Sequence, residues 1–83
     1  MEILWDEPKR LINIERHALD FRDLDYTFFL RAKIGPAKKG RLRAVGWLAD
    51  STIVVIFITL GAEAISVISM RPANRKERKL VNG

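Results

Sequence analysis

Eleven arginines and lysines stand between Tyr26 and Gly83 against three acids, Asp50, Glu63 and Glu77, and all eleven fall into two runs. Arg31, Lys33, Lys38, Lys39, Arg41 and Arg43 form the first, with no acid among them; Arg71, Arg75, Lys76, Arg78 and Lys79 form the second, interrupted only by Glu77. Side chains of this kind hold phosphate oxygens, and the planar fork of arginine does so with two hydrogen bonds at once. In a site that excludes water they can also stabilise charge that develops on a phosphate during reaction, often the largest single contribution to catalysis. Trp47 or Tyr26 could offer a stacking face for a base.

Other chemistries lack their residues. His17 is the one histidine, so a pair of histidines cannot share acid and base roles, and a single proton-transfer group contributes roughly 10² to 10⁴ in rate. No glycine-rich phosphate loop ending in Gly-Lys is present, no histidines stand at metal spacing, and without cysteine there is neither a thiolate zinc site nor a disulfide. The expectation is a site with no cofactor and no metal. Absence of cysteine also suits a reducing, cytoplasmic setting.

Net charge is +5 over the 83 residues, but it is divided: the first 25 residues hold seven acids and four bases, and the remainder carries +8. A field of that sign attracts phosphate backbones, anionic lipid or an acidic protein. Glu2, Asp6 and Glu7 interrupt any secretory leader pattern. Thr52–Met70 carries only Glu63 as a charge, yet ten of its nineteen residues are β-branched and Gly61-Ala62-Glu63 divides it. A buried hairpin is therefore expected there, not a membrane span.

One domain covering residues 1–83 is the expectation from this length. Glu2–Trp5 reads as a short strand, and Asp6-Glu7-Pro8 starts a helix that runs to about His17 with Leu11, Ile14 and Ala18 on its inner face. Asp20 and Asp23 cap a second helix over Phe21–Phe29. Strands follow at Leu30–Ile34, Arg41–Ala49, Thr52–Leu60 and Ala64–Met70, the first two joined by the loop Gly35–Gly40. In the strand from Arg41, alternation puts Leu42, Ala44, Gly46 and Leu48 on one face and Arg41, Arg43, Val45 and Trp47 on the other. Asn74 and Glu77 form a capping box that opens a terminal helix. The fold class is α+β, with helices mainly on one side of an antiparallel sheet of four to five strands. If the last strand pairs inside that sheet, Arg71 and Arg75 approach the first basic run and make one cleft for an anionic substrate.

The order Trp5-Asp6, Lys9, Asn13, Arg16-His17, Phe21, Phe28, Arg41, Gly46, then Ile68-Ser69-Met70-Arg71-Pro72-Ala73 and Arg75-Lys76-Glu77-Arg78 resembles the BrnT family of bacterial toxins. The resemblance spans nearly the whole chain. It implies a RelE-like fold and a ribonuclease toxin of a type II toxin–antitoxin system. Such an enzyme cuts RNA without metal by attack of the ribose 2′-hydroxyl on the adjacent phosphate. It further implies neutralisation by a ribbon-helix-helix, BrnA-like antitoxin in a heterotetramer, which binds promoter DNA through the antitoxin. Carried onto this chain, Arg41, Arg71 and Arg75 become phosphate and transition-state ligands, His17 or Glu77 the proton carriers, and Lys9 a further catalytic candidate. Lys38, Lys39, Arg43, Trp47 and Arg78 would bind RNA. The chain departs from the family at Ala18, where glycine is usual, at Ser66, where arginine is usual, and near Val81, where a tyrosine is expected. A second reading is therefore a degenerate toxin that keeps antitoxin binding and DNA autoregulation without cleavage.

Overall fold

A computed structural model describes residues 1–82. Strands β1 (Glu2–Trp5), β2 (Lys33–Pro36), β3 (Leu42–Leu48), β4 (Ser51–Leu60) and β5 (Ala64–Pro72) build one sheet in the order β1-β5-β4-β3-β2. The Thr52–Met70 stretch is the hairpin expected of it, closed at Gly61, whose φ of +68° suits the residue without a side chain. Local turns make β2 to β5 antiparallel neighbours. β1, however, lies parallel to β5, from Glu2 opposite Ala64 to Trp5 opposite Val67, so the sheet is mixed, not antiparallel. No turn connects that pair, and nothing local in the sequence encodes it.

Helix α1 (Glu7–His17) has the expected bounds but a different inner face. Leu11 is 55% exposed and Ala18 is exposed, whereas Asn13 is buried. Polar tethers decide the rotation. Arg10 donates to both carboxylate oxygens of Asp20 at 3.1 and 3.2 Å, while Asn13 donates to Leu19 O and accepts from Met70 N, each at 3.0 Å. Ala18 ends the helix in the left-handed region (φ 56°, ψ 30°), its N–H bonded to Ile14 O.

The single helix expected over Phe21–Phe29 is two pieces. Asp20 caps a short 3-10 turn at Phe21–Asp23, and Asp25 caps α2 (Tyr26–Arg31) by accepting from Phe28 N at 3.1 Å. Leu24 between them is extended, because Asp25 starts a new helix instead of continuing the old one. Since α2 runs to Arg31, β2 begins at Lys33 and Leu30 remains exposed. The aromatic stripe still turns inward: Phe28, Phe29 and Phe57 stack edge to face at 5.2 and 5.3 Å, and Phe21 meets Trp5 at 6.4 Å. At Gly46 a Cβ would stand 3.1 Å from Phe28 Cε1 and 3.3 Å from Ala32 Cβ, so its absence lets α2 lie close on β3.

Helices also cover both faces of the sheet. Ala44, Ile53, Val55, Phe57, Ile65, Val67 and Met70 form the core on the face that carries α1 and α2. On the opposite face α3 (Arg75–Asn82) lies over β3, and Val81 packs against a second cluster of Val45, Val54 and Ala73. This explains the unbroken apolar run of β4, whose Val54 and Val55 are both fully buried on opposite faces.

Because alanine in the left-handed region costs about 1 kcal/mol that glycine avoids, Ala18→Gly is expected to stabilise the fold by about that amount. Thermal unfolding followed by circular dichroism checks it; an unchanged or lower Tm would mean that the cap is not a point of strain.

Candidate functional site

The site is set up by an irregularity in β5. Ile56 of β4 pairs with Ser69 and Phe57 with Val67, so Ile68 is an extra residue bulging from the ladder. Strict alternation from Val67 would carry Ser69 and Arg71 into the core. With the bulge, Val67 and Met70 point inward and Ser69 and Arg71 point to the face that carries α3. β1 ends opposite Val67, and beyond it Met70 N finds its acceptor in Asn13 Oδ1. Ile65, Val67 and Met70 as the apolar set, two and then three residues apart, is the sequence signal of this bulge, and simple alternation overlooks it.

Register then gathers the cations. Arg43 stands opposite Ile56, Ile56 opposite Ser69, and Arg71 opposite Val54. A cleft of about 610 Å³ opens over them, lined by Pro36, Ala37, Lys38, Arg41, Arg43, Ile56, Ser69 and Arg71. Both basic runs of the sequence thus reach one surface, through Arg41 and Arg43 from one and Arg71 from the other. No acid lines it.

Behind the cleft sits Glu77, only 5% exposed. Arg71 grips it with two parallel bonds, Nη1 to Oε1 at 2.7 Å and Nη2 to Oε2 at 2.8 Å, and Arg43 Nη1 lies 3.8 Å from Oε2. The capping box forms as expected: Glu77 Oε1 accepts from Asn74 N at 2.9 Å, and Asn74 Oδ1 accepts from Glu77 N at 2.8 Å. The Arg71 hydrogen bonds lower the Glu77 pKa to about 2, against the opposing effect of burial and with help from the Asn74 N–H and the nearby Arg43 charge. Glu77, expected as a proton carrier, therefore has both carboxylate oxygens engaged by donors. A carboxylate with a pKa of about 2 has no proton to give at neutral pH and little appetite for one. Its work is to hold Arg71 and Arg43, and the Arg71 pKa is raised in return.

The other residues singled out in the sequence divide into groups. Lys9 and His17 line a separate cleft of about 280 Å³ with Ile12, Asn13, Arg16, Ile68 and Ser69. Ser69 belongs to both clefts, so the two meet across the free edge of β5. Lys38 lines the arginine cleft, whereas Lys39, at φ 60°, is exposed in the turn and does not. Arg75 is exposed at the start of α3 outside the cleft lining, and Arg78 Nη1 donates to Ala73 O at 3.0 Å. Trp47 is not beside the arginines. It lines a third cleft with Arg31, Lys33, Leu80 and Val81, roughly 13 Å along β3 from Arg43. Alternation places both on one face of β3, and the terminal helix α3 packs on that face. Among the described residues no group of three His, Cys, Asp or Glu side chains could hold a metal ion, and no helix is long and apolar enough to cross a membrane.

Comparison with known proteins decides the family. A model described as the ribonuclease toxin BrnT of type II toxin–antitoxin systems matches residues 5–77. The chain belongs to the BrnT family. The crystal structure of the Brucella abortus ribonuclease toxin BrnT is 54% identical, with a TM-score of 0.85, covering 90% of this chain and 99% of that one. No curated protein sequence matches significantly. The span that matches the BrnT model runs from Trp5 through Glu77, so it includes α1 with Lys9 and His17, the arginine cleft, and the carboxylate behind it.

Glu77 makes folding pH-dependent. A folded pKa of about 2 against an ordinary 4.5 means that its contribution to stability is present above pH 4.5 and is lost as pH falls toward 2. Thermal unfolding between pH 6 and pH 2.5 should show this loss in the wild type, and Glu77→Gln should flatten that limb. An equally steep limb in the variant would place the acid sensitivity elsewhere.

Proposed function

We propose that this chain is an endoribonuclease toxin that cleaves RNA without a metal at the arginine cleft, with Lys9 and His17 reaching it from the adjoining α1 cleft. The observation that carries the reading is the convergence of Arg41, Arg43 and Arg71 on one acid-free surface, with Arg71 and Arg43 gathered about a buried carboxylate. Groups held in this way meet developing charge without reorganising, and that is what electrostatic catalysis requires.

In the proposed reaction the ribose 2′-hydroxyl attacks the adjacent phosphorus. The O2′–P bond forms, the P–O5′ bond breaks, and the products are a 2′,3′-cyclic phosphate and a 5′-hydroxyl. Arg71 and Arg41 take the charge on the phosphoryl oxygens, Arg43 assists, and Lys38 with Lys39 draws the strand in. The proton leaving the 2′-hydroxyl is taken by His17 across Ser69, and Lys9 delivers one to the departing 5′-oxygen. Arg75 and Arg78 lie at the rim as phosphate contacts, and Trp47 is too far along β3 to stack on a base at the reacting phosphate. Within the same reading, membership of the BrnT family extends to a ribbon-helix-helix, BrnA-like antitoxin as partner, in a heterotetramer that binds promoter DNA through the antitoxin.

The degenerate alternative rests on Ser66 and Val81. Ser66 pairs with Leu4 and Ile58 along the sheet, and Val81 packs on the cluster below α3; neither lines the arginine cleft. Their placement supports retained cleavage.

Arg71→Ala is expected to lower the single-turnover rate at saturating enzyme by roughly 10² to 10³ while RNA affinity falls far less. Lys38→Ala should weaken binding modestly, reduce the salt dependence by about one charge, and leave the saturated rate nearly intact. Equal losses of binding with unchanged rates in both variants would make Arg71 part of an ordinary basic surface. Cleavage should persist in EDTA and leave cyclic phosphate ends; activity lost to chelator and restored by magnesium would sink the mechanism.

A further inference from the structure

We propose that the cleft between α1 and the free edge of β5 is a subsite for one additional nucleotide, taken with little regard to its base. The inference rests on RNA being the substrate and assigns roles to Ile12, Arg16 and Ile68, to which the proposed reaction gives none. The cleft has about 280 Å³ and presents Lys9, Arg16 and His17 with no acid in its lining. Ile12 is 49% exposed on α1, and Ile68 is the bulged residue that no β4 partner claims. Two aliphatic side chains among three basic ones offer a base an apolar surface and its phosphate a cationic rim.

The core makes no use of Ile12, so its side chain stands available on the wall of the cleft. The lining also offers no free side-chain amide, the group that pairs with a base edge at both a donor and an acceptor. Asn13 is the only amide in the lining, and both ends of it are engaged, by Leu19 O and Met70 N. It is therefore not free to read a base edge. Ser69 joins the cleft to Arg41, Arg43 and Arg71, so a strand whose phosphate is held by the arginines reaches this subsite with its neighbouring nucleotide.

The test uses short RNAs made uncleavable by 2′-O-methylation, so that binding is read apart from reaction, with affinities from NMR titration of the folded chain. The wild type is expected to bind a trinucleotide roughly tenfold more tightly than a dinucleotide, the scale of one added phosphate and base contact. The gain should vary little among trinucleotides differing in the terminal base. Ile12→Ser and Arg16→Ala, both at exposed positions, should keep the wild-type Tm and the dinucleotide affinity and lose the gain from length. No length gain in the wild type overturns the subsite. So does an Arg16→Ala variant that weakens both oligomers equally, because that is the behaviour of a diffuse basic field. A strong preference for one terminal base overturns the claim of base tolerance. Cleavage of unmodified RNA by the wild type is measured alongside; its absence with the length gain intact would count against the ribonuclease reading and leave the subsite standing.

Discussion

A carboxylate held out of water between two arginines is the interaction on which the site depends. Removing Glu77 from solvent is unfavourable by itself, and the bidentate grip of Arg71, the Asn74 N–H and the proximity of Arg43 offset it. Those three contacts also define geometry. Arg71 comes from β5, Arg43 from β3 and Glu77 from α3, so one carboxylate fixes the helix to the sheet and aims two guanidinium groups. With two of its donors on Glu77, Arg71 keeps further N–H groups for an anion. The pair thus offsets one of the positive charges while leaving Arg71 positioned to donate to an anion.

That support would be misplaced without the β5 bulge, and the bulge depends in turn on α1. Past Trp5 the parallel partner of β5 is gone, and a buried strand N–H without an acceptor would be costly. Asn13 supplies the acceptor at Met70 and is itself held by Leu19 O. Arg10, one turn earlier, ties the same helix to Asp20. The polar inner side of α1, which looks like a defect in an amphipathic helix, is what allows β5 to leave regular pairing where its arginine must face outward.

The sequence made legible whatever is local. Capping chemistry at Asn74 and Glu77, the division of Thr52–Met70 at Gly61, and the two faces of β3 all follow from neighbours within a few residues. The meeting of the two basic runs was also foreseeable, since any sheet that pairs the last strand inward brings them together. What stayed hidden is long-range. The parallel β1–β5 pair joins residues some sixty positions apart, α3 covers the face opposite the other helices, and the choice of Asn13 over Leu11 for burial depends on a strand 57 residues away. Glu77 was recognised as a cap residue, yet its ionisation could not be read without knowing that Arg71 closes on it.

The division of charge along the chain acquires a physical meaning in the fold. Three of the seven acids of the first 25 residues are engaged in building local structure: Glu7 receives Trp5 Nε1 and Arg10, Asp20 receives Arg10 and the Arg22 N–H, and Asp25 caps α2. The other four, Glu2, Asp6, Glu15 and Asp23, do not line the arginine cleft. Arg41, Arg43 and Arg71 therefore share one surface with the single buried carboxylate of Glu77 behind them, and three like charges set against one counterion leave the empty site with a net positive charge that raises its free energy. An anion relieves that repulsion, and an anion whose charge grows during reaction relieves it more. The same arrangement that makes the empty cleft unfavourable is what gives it preference for a transition state over a ground state.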